Sequence, residues 1–105
     1  MVVRVHGRNM PVTEAMLRFV RERFEAALGP REPLVQTVCV HVEDVNGPRG
    51  GADKRCLAEI TLARRGRLVV DAREPDLYRA IQSAAKRART SVFHSIDRRR
   101  SARQP

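Results

Sequence analysis

The sequence contains little of several residue types, and each shortage excludes a class of protein. It has no tryptophan, three phenylalanines and one tyrosine, so a core must be built mostly from valine, leucine, isoleucine and alanine. Two cysteines are too few for a disulfide scaffold, and they lack the spacing of metal ligands. No apolar run is long enough for a membrane span or a signal peptide, so the sequence predicts a soluble, cytoplasmic protein without a membrane partner.

Acidic residues are also scarce, and the resulting positive charge is the main compositional signal. The chain has 21 Lys and Arg against 12 Asp and Glu, which gives a formal net charge of +9 over 105 residues. Most of these cations are arginine, whose planar guanidinium suits phosphate and stacks on bases. A single domain of this size and charge is expected to bind a polyanion, usually a nucleic acid. The alternative is a generally basic, solvated surface.

Alternation of apolar and polar residues predicts four β-strands, at residues 2–7, 33–45, 55–63 and 67–72. Each strand has one apolar face, so two amphipathic helices are expected to cover the same face of a four-stranded sheet. Cys39 and Cys56 fall on opposite faces of that sheet, which excludes a disulfide between them. The other face is expected to be open to solvent, and it carries Arg4, His6, Thr37, His41, Glu43, Glu59 and Asp71.

Helical periodicity predicts those two helices. The first covers Glu14 to Leu28, with Thr13 as its N-cap and Gly29 as a left-handed C-terminal cap. The second begins at Pro75 and runs to about Arg98. Residues 99–105 carry charge without a pattern and are predicted to form a disordered basic tail. Residues 1–98 are thus predicted to form one α+β domain of order β-α-β-β-β-α, which resembles the double-stranded RNA-binding fold.

A glycine-rich segment at residues 44–55, DVNGPRGGADKR, invites comparison with a phosphate-binding loop. A Walker loop needs two glycines separated by four residues, then Lys and Ser or Thr, and it leads into a helix. Here a strand follows, no Ser or Thr is present, and Pro48 removes a backbone donor. The segment is therefore predicted to connect two antiparallel strands. Its cations are nevertheless candidates for phosphate contact: Arg49, Lys54 and Arg55.

The polar side of the second helix is the strongest candidate for binding nucleic acid. Between Lys86 and Arg103 the cations far outnumber Asp97, the one acid of that stretch. Phe93 also projects from the polar side, and cations beside an exposed ring suit a phosphate contact together with a stacked base. The alternative is a solvated face with Phe93 packed against a neighbouring loop. The candidate cations of this helix are Arg79, Lys86, Arg87, Arg89, Arg98 and Arg99.

No combination of residues indicates catalysis. Ser91, His94 and Asp97 recur every third residue along one helix, but no second element supplies an oxyanion site. The residues of the open face that could bind metal, His6, His41 and Cys39, are not spaced as metal ligands are. The open face also lacks the aromatic residues on which an RRM stacks bases. We therefore expect a non-enzymatic protein with no cofactor, no metal and no small-molecule substrate.

Two segments, GRNMPVTEAMLRFVRERFE at residues 7–25 and EPDLYRAI at residues 74–81, resemble the ribosome hibernation promoting factor and ribosome-associated translation inhibitor family. EPDLYRAI, at residues 74–81, is similar to a family block of an acidic residue, Asp, an aliphatic residue, Tyr and Ala-Ile. GRNMPVTEAMLRFVRERFE, at residues 7–25, is similar to the family's opening. That opening has a glycine, a basic residue, Met, Thr-x-Ala, Val and a basic residue, here Gly7, Arg8, Met10, Thr13, Ala15, Val20 and Arg23. The resemblance covers about residues 2–98.

The resemblance implies binding to the small ribosomal subunit and its rRNA, in the channel for mRNA and tRNA, and steric inhibition of translation in dormant or stressed cells. The binding positions that it transfers are Arg23, Arg79, Lys86, Arg87 and Arg89. The chain departs from the family at Thr90, where an arginine is common, and in its longer glycine-rich connection. It ends at Pro105, without the C-terminal dimerisation domain of long forms, so ribosome pairing is expected to need another hibernation factor.

Two other functions stay open. A general structured-RNA-binding domain or RNA chaperone would bind free duplex RNA as tightly as ribosomes. A protein-interaction module, such as a regulator of transcription, would spread its cations evenly over both faces of the domain.

Overall fold

The computed structural model describes residues 1–45, 53–64 and 66–103. It confirms the predicted α+β class and the element order β-α-β-β-β-α. Arg49 and the rest of the connection at 46–52 lie outside the described residues. A 3-10 helix, Gly29–Leu34, joins the first α-helix to the second strand. The strands are β1 (Val2–Arg8), β2 (Val35–Asp44), β3 (Lys54–Leu62) and β4 (Gly66–Glu74), and the α-helices are α1 (Glu14–Leu28) and α2 (Leu77–Arg103).

The four strands form one mixed sheet in the order β1-β2-β3-β4. β1 and β2 are parallel, which their connection through α1 permits, whereas β3 is antiparallel to both of its neighbours. Alternate residues of the strands face the core, such as the buried Val38, Val40 and Val42 of β2. Both helices cover this apolar face, as predicted, and the other side of the sheet is the open face. The buried stripe of α2 consists of Leu77, Ala80, Ile81, Ala84, Ala85, Ala88, Val92 and Ile96.

The bounds of α1 agree with the sequence prediction, but the conformation of its C-terminal cap does not. Thr13 is the N-cap, and its Oγ1 accepts a hydrogen bond of 3.1 Å from the backbone N–H of Met16. Gly29 is not in the predicted left-handed conformation, because its φ is −50° and its ψ is −42°. The chain instead continues into the 3-10 helix, where the fixed φ of Pro30 suits a tight helical turn.

α2 differs from the prediction at both ends. It begins at Leu77 rather than Pro75, because the side chain of Asp76 accepts from the N–H of Tyr78 at 3.3 Å and so caps the helix. It ends at Arg103, so the predicted disordered tail is helical over residues 99–103. Arginine and alanine favour helix there, and no glycine or proline interrupts the chain before Pro105. Within the described ranges, no helix has the length and apolar character that a membrane crossing requires.

We predict that Thr13→Ala lowers the free energy of unfolding by about 1 kcal/mol, because the N–H of Met16 loses its acceptor. Thr13→Ser keeps the hydroxyl and should remain close to the wild-type protein. Urea unfolding followed by circular dichroism measures both variants. Equal losses in the two variants would show that the hydroxyl is not what stabilises this end of α1.

Candidate nucleic-acid interface

The two helices run side by side in the same direction across the sheet. Near the start of α2, the ring of Tyr78 meets Phe19 of α1 edge to face, with ring centroids 4.8 Å apart. Further along α2, the half-buried ring of Phe93 meets Arg31, which follows α1 in the 3-10 helix. The solvent side of this helix pair is called the helix face below. Its exposed cations up to residue 98 are Arg18, Arg21, Arg23, Arg79, Lys86, Arg87, Arg89 and Arg98.

In the described part of the chain, the cations of the helix face form no ion pair with a carboxylate. The ion pairs found there join residues of the strands, Asp53, Glu32 of the 3-10 helix and the amino terminus. Arg87 donates instead to the backbone oxygen of Asp71 at the edge strand β4. Arg23 lies over the ring of Phe19, with its Cζ 5.1 Å from the ring centroid. These charges are therefore available to an external anion, whose binding would release their counterions.

The charges of the open face, by contrast, are largely offset by one another. Arg55 donates from Nε and Nη2 to the carboxylate of Asp71, at 2.9 and 2.7 Å, and its Nη1 lies 3.8 Å from Glu43. Arg67 pairs with Glu59 at 2.6 Å. In the described structure, most of the exposed cations without an ion pair thus lie on the helix face. This uneven distribution disfavours the protein-interaction module, which predicted an even one.

Lys54 and Arg55 both lie in β3, which begins one residue before the predicted strand at 55–63, and not in the glycine-rich connection. The strand register places Lys54 opposite Asp44 and Arg55 opposite Glu43, so opposite charges meet across the β2–β3 pair. The Nζ of Lys54 lies 3.3 Å from Asp44 and 3.3 Å from the buried carboxylate of Asp53. Both cations are offset by carboxylates within the fold, so we leave them out of the proposed contacts, and their contact with RNA stays a prediction.

The remaining predicted residues are divided between exposed and packed positions. Arg23, Arg79, Lys86, Arg89 and Arg98 are exposed on the helices, where the helical pattern placed them, and their contact with RNA stays a prediction. Arg99 lies in α2, and the structure describes its backbone but not its side chain.

Phe93 is not the free stacking ring that the first interpretation required. It is half buried, packs against the core and has the guanidinium groups of both Arg31 and Arg89 over it. This arrangement matches the alternative, in which Phe93 packs against a neighbouring segment. Sequence reasoning missed Arg31, because the segment GPREPL has no helical or strand periodicity that would assign its side chains to a face.

The open face holds a small groove that shows no metal-binding geometry. His6 and His41 are partners in the β1–β2 register, and their rings stack with centroids 5.4 Å apart. They line a groove of about 220 Å³ together with Leu57. No group of three or more potential ligands converges anywhere in the described ranges. Both cysteines are free, and burial raises the pKa of the Cys56 thiol to about 12, so it is a poor nucleophile.

We predict that Arg55→Gln destabilises the fold by about 1 kcal/mol or less at neutral pH, the range of exposed ion pairs. The hydrogen bond from Arg55 lowers the pKa of Asp71 in the folded protein. The stabilisation is therefore complete above the ordinary aspartate pKa of about 3.9, and it is lost as the pH falls through the lower folded-state pKa. Urea unfolding should show the difference between wild type and variant shrinking below about pH 4.

The control for this experiment is Arg4→Gln, which removes an exposed open-face arginine that has no ion pair in the described structure. The difference in the free energy of unfolding between Arg4→Gln and the wild-type protein should not change over the same acidic range. If the Arg55→Gln difference stays constant as Asp71 is protonated, the ion pair is not the source of the stabilisation.

Comparison with known proteins places this architecture in a family. Residues 3–100 match the model of the family described as sigma 54 modulation protein / S30EA ribosomal protein. No curated protein sequence matches the chain. Solved structures that share the fold include the following two. A ribosomal subunit interface protein from Coxiella burnetii has a TM-score of 0.79 and 12% identity, over 92% of this chain and 99% of that chain. The Thermus thermophilus Protein Y N-terminal domain has a TM-score of 0.67 and 23% identity, over 87% of this chain and 90% of that chain.

The family match covers nearly the whole chain and includes both segments from which the resemblance was drawn. It confirms that resemblance independently of the helix-face charges. The chain belongs to the sigma 54 modulation protein / S30EA ribosomal protein family.

Proposed function

We propose that this protein is a ribosome hibernation factor that binds rRNA of the small subunit through its helix face and inhibits translation without catalysis. The observation that carries the proposal is the concentration of exposed, unpaired cations on α1 and α2, opposite a sheet face whose charges are largely paired. The chain belongs to a family whose description names a ribosomal protein, and this membership supports the ribosome as the source of the RNA. The fold is also that of a protein described as a ribosomal subunit interface protein.

The proposed mechanism is steric, and it places the protein in the cytoplasm with the ribosomes. The helix face lies against rRNA phosphates in the channel that mRNA and tRNA occupy, with Arg23, Arg79, Lys86 and Arg89 as contacts. The folded body measures 55 × 24 × 19 Å and is much wider than a single RNA strand, so it excludes mRNA and tRNA from the space that it fills.

We predict that Lys86→Gln weakens binding to purified small subunits roughly three- to tenfold. It should also reduce the slope of log affinity against log salt concentration by about one, because one phosphate contact is lost. Arg4→Gln makes the same charge change on the open face and should leave both quantities unchanged. Sedimentation with small subunits over a salt series measures them. Equal effects of the two substitutions would contradict the helix-face interface. Equally tight binding of the wild type to free duplex RNA would favour the general RNA-binding alternative.

A competition experiment tests the proposed location in the channel. Small subunits that already carry mRNA and a P-site tRNA should bind the protein much more weakly than vacant subunits, since both ligands require the same space. Excess protein should correspondingly inhibit translation in a purified system when it is added before initiation. Unchanged affinity for loaded subunits would contradict the steric mechanism, even if binding to vacant subunits were strong.

A further inference from the structure

We propose that Arg31 and Arg89 form a two-pronged phosphate-binding site around Phe93, which takes neighbouring phosphates of one rRNA strand. The inference deepens the proposed function and rests on it. It adds Arg31, from the 3-10 helix, to the helix face, and it assigns Phe93 a positioning role in place of base stacking.

The geometry of the site brings two cations to a single ring. The Cζ of Arg31 lies 4.4 Å from the ring centroid of Phe93, and the Cζ of Arg89 lies 5.1 Å from it. Both distances are within the cation–π range of about 6 Å. A guanidinium that contacts a ring keeps the N–H donors along its edge, which are the groups that bind phosphate in bidentate fashion. The ring therefore holds each arginine while leaving its phosphate-binding edge available.

The electrostatics of the site favour an external anion. Two like charges beside one ring repel each other, and in the described structure neither Arg31 nor Arg89 has a carboxylate partner. Glu32, the residue next to Arg31, lies instead 3.7 Å from the amino terminus of Met1. Arg55 on the open face shows the opposite arrangement, since two carboxylates surround it. Phosphates of an RNA strand would supply the negative charge beside Arg31 and Arg89 that carboxylates supply beside Arg55.

Two prolines beside the site restrict the backbone, which reduces the entropy lost on binding. Pro30 and Pro33 flank Arg31 and Glu32 and restrict the backbone of the 3-10 helix. The Nη1 of Arg31 also donates to the backbone oxygen of Pro30, at 3.4 Å. The ring of Phe93 is anchored because it packs against the core beside the buried Val92. Arginine side chains that are already held in place lose less freedom when a phosphate binds.

RNA is the ligand that this location favours. Arg89 lies one helical turn from Lys86 on the exposed side of α2, so the two-pronged site continues the proposed interface along the helix face. The two arginines come from different elements, the 3-10 helix and α2, and each keeps its own set of N–H donors. Two such sets of donors suit two phosphates of one strand.

The test measures binding to purified small subunits over a salt series for Arg31→Gln, Arg89→Gln and Phe93→Leu, alone and combined. Each arginine variant should weaken binding roughly three- to tenfold and lower the salt slope by about 0.7 to 0.9. Phe93→Leu keeps an apolar side chain but removes the aromatic face. In the Phe93→Leu background, Arg31→Gln should therefore cause a smaller fold-change than in the wild-type background, because Arg31 is no longer held.

Two results would overturn the site. If Arg31→Gln retains wild-type affinity and salt slope while Lys86→Gln weakens binding, the two-pronged site is wrong and the proposed function stands. If Arg31→Gln causes the same fold-change in both backgrounds, Phe93 does not position Arg31. Failure of the wild-type protein to bind small subunits at any salt would instead contradict the proposed function.

If Phe93→Leu proves unstable, NMR of the free wild-type protein tests whether the ring of Phe93 holds the two arginines. The aromatic ring should shift the NMR signals of the Arg31 and Arg89 δ-protons upfield in the wild-type protein. Ordinary chemical shifts for both side chains would show that the ring does not hold them, and would overturn the positioning role without any ring variant.

Discussion

The structure depends on burying one face of a four-stranded sheet. Each of the four strands contributes buried apolar side chains to the same side of the sheet, and both helices are needed to cover them. The inner stripes of α1 and α2 are therefore committed to the core, which leaves two polar surfaces separated by the thickness of the domain. The residues that can meet an external partner are those on the outer sides of the helices and those on the open face of the sheet.

The strand register pairs many of the cations of the open face with carboxylates. Pairing of β2 with β3 sets Glu43 opposite Arg55, and the adjacent β4 brings Asp71 within hydrogen-bonding distance of the same guanidinium. The helices have no such alternation of signs across a neighbouring element, and their arginines are left without carboxylates in the described structure. The separation of paired from unpaired cations is thus a consequence of topology, and it gives the protein one side suited to RNA.

The family motifs turn out to report the fold more directly than the binding surface. A Cβ at Gly7 would lie 2.6 Å from the backbone oxygen of Met10, so only glycine allows this close approach where the chain leaves β1. Thr13 caps α1, and Asp76 caps α2. A resemblance carried by such residues predicts the architecture, since each of them meets a local backbone requirement. It says less about which arginines contact RNA.

The sequence could predict the features that depend on nearby residues, but not the contacts between residues far apart in the chain. The bounds of α1, the alternation of the strands and the buried stripe of α2 depend on nearby residues and were recovered from periodicity. The pairing of Arg55 with Asp71 and the contact of Arg31 with Phe93 join residues that are far apart in the chain. No pattern within either segment encodes these contacts, because they arise only when the sheet register and the helix packing are fixed.

The central claim is that the helix face binds RNA while the open face remains free, and arginine-specific covalent footprinting tests it most directly. The protein is treated with phenylglyoxal alone and in complex with small ribosomal subunits, and the modified positions are quantified by mass spectrometry. The account predicts strong protection of Arg23, Arg79 and Arg89 in the complex, with Arg4 and Arg73 of the sheet modified as in the free protein. Protection of Arg4 and Arg73, with the helix arginines still reactive, would contradict it.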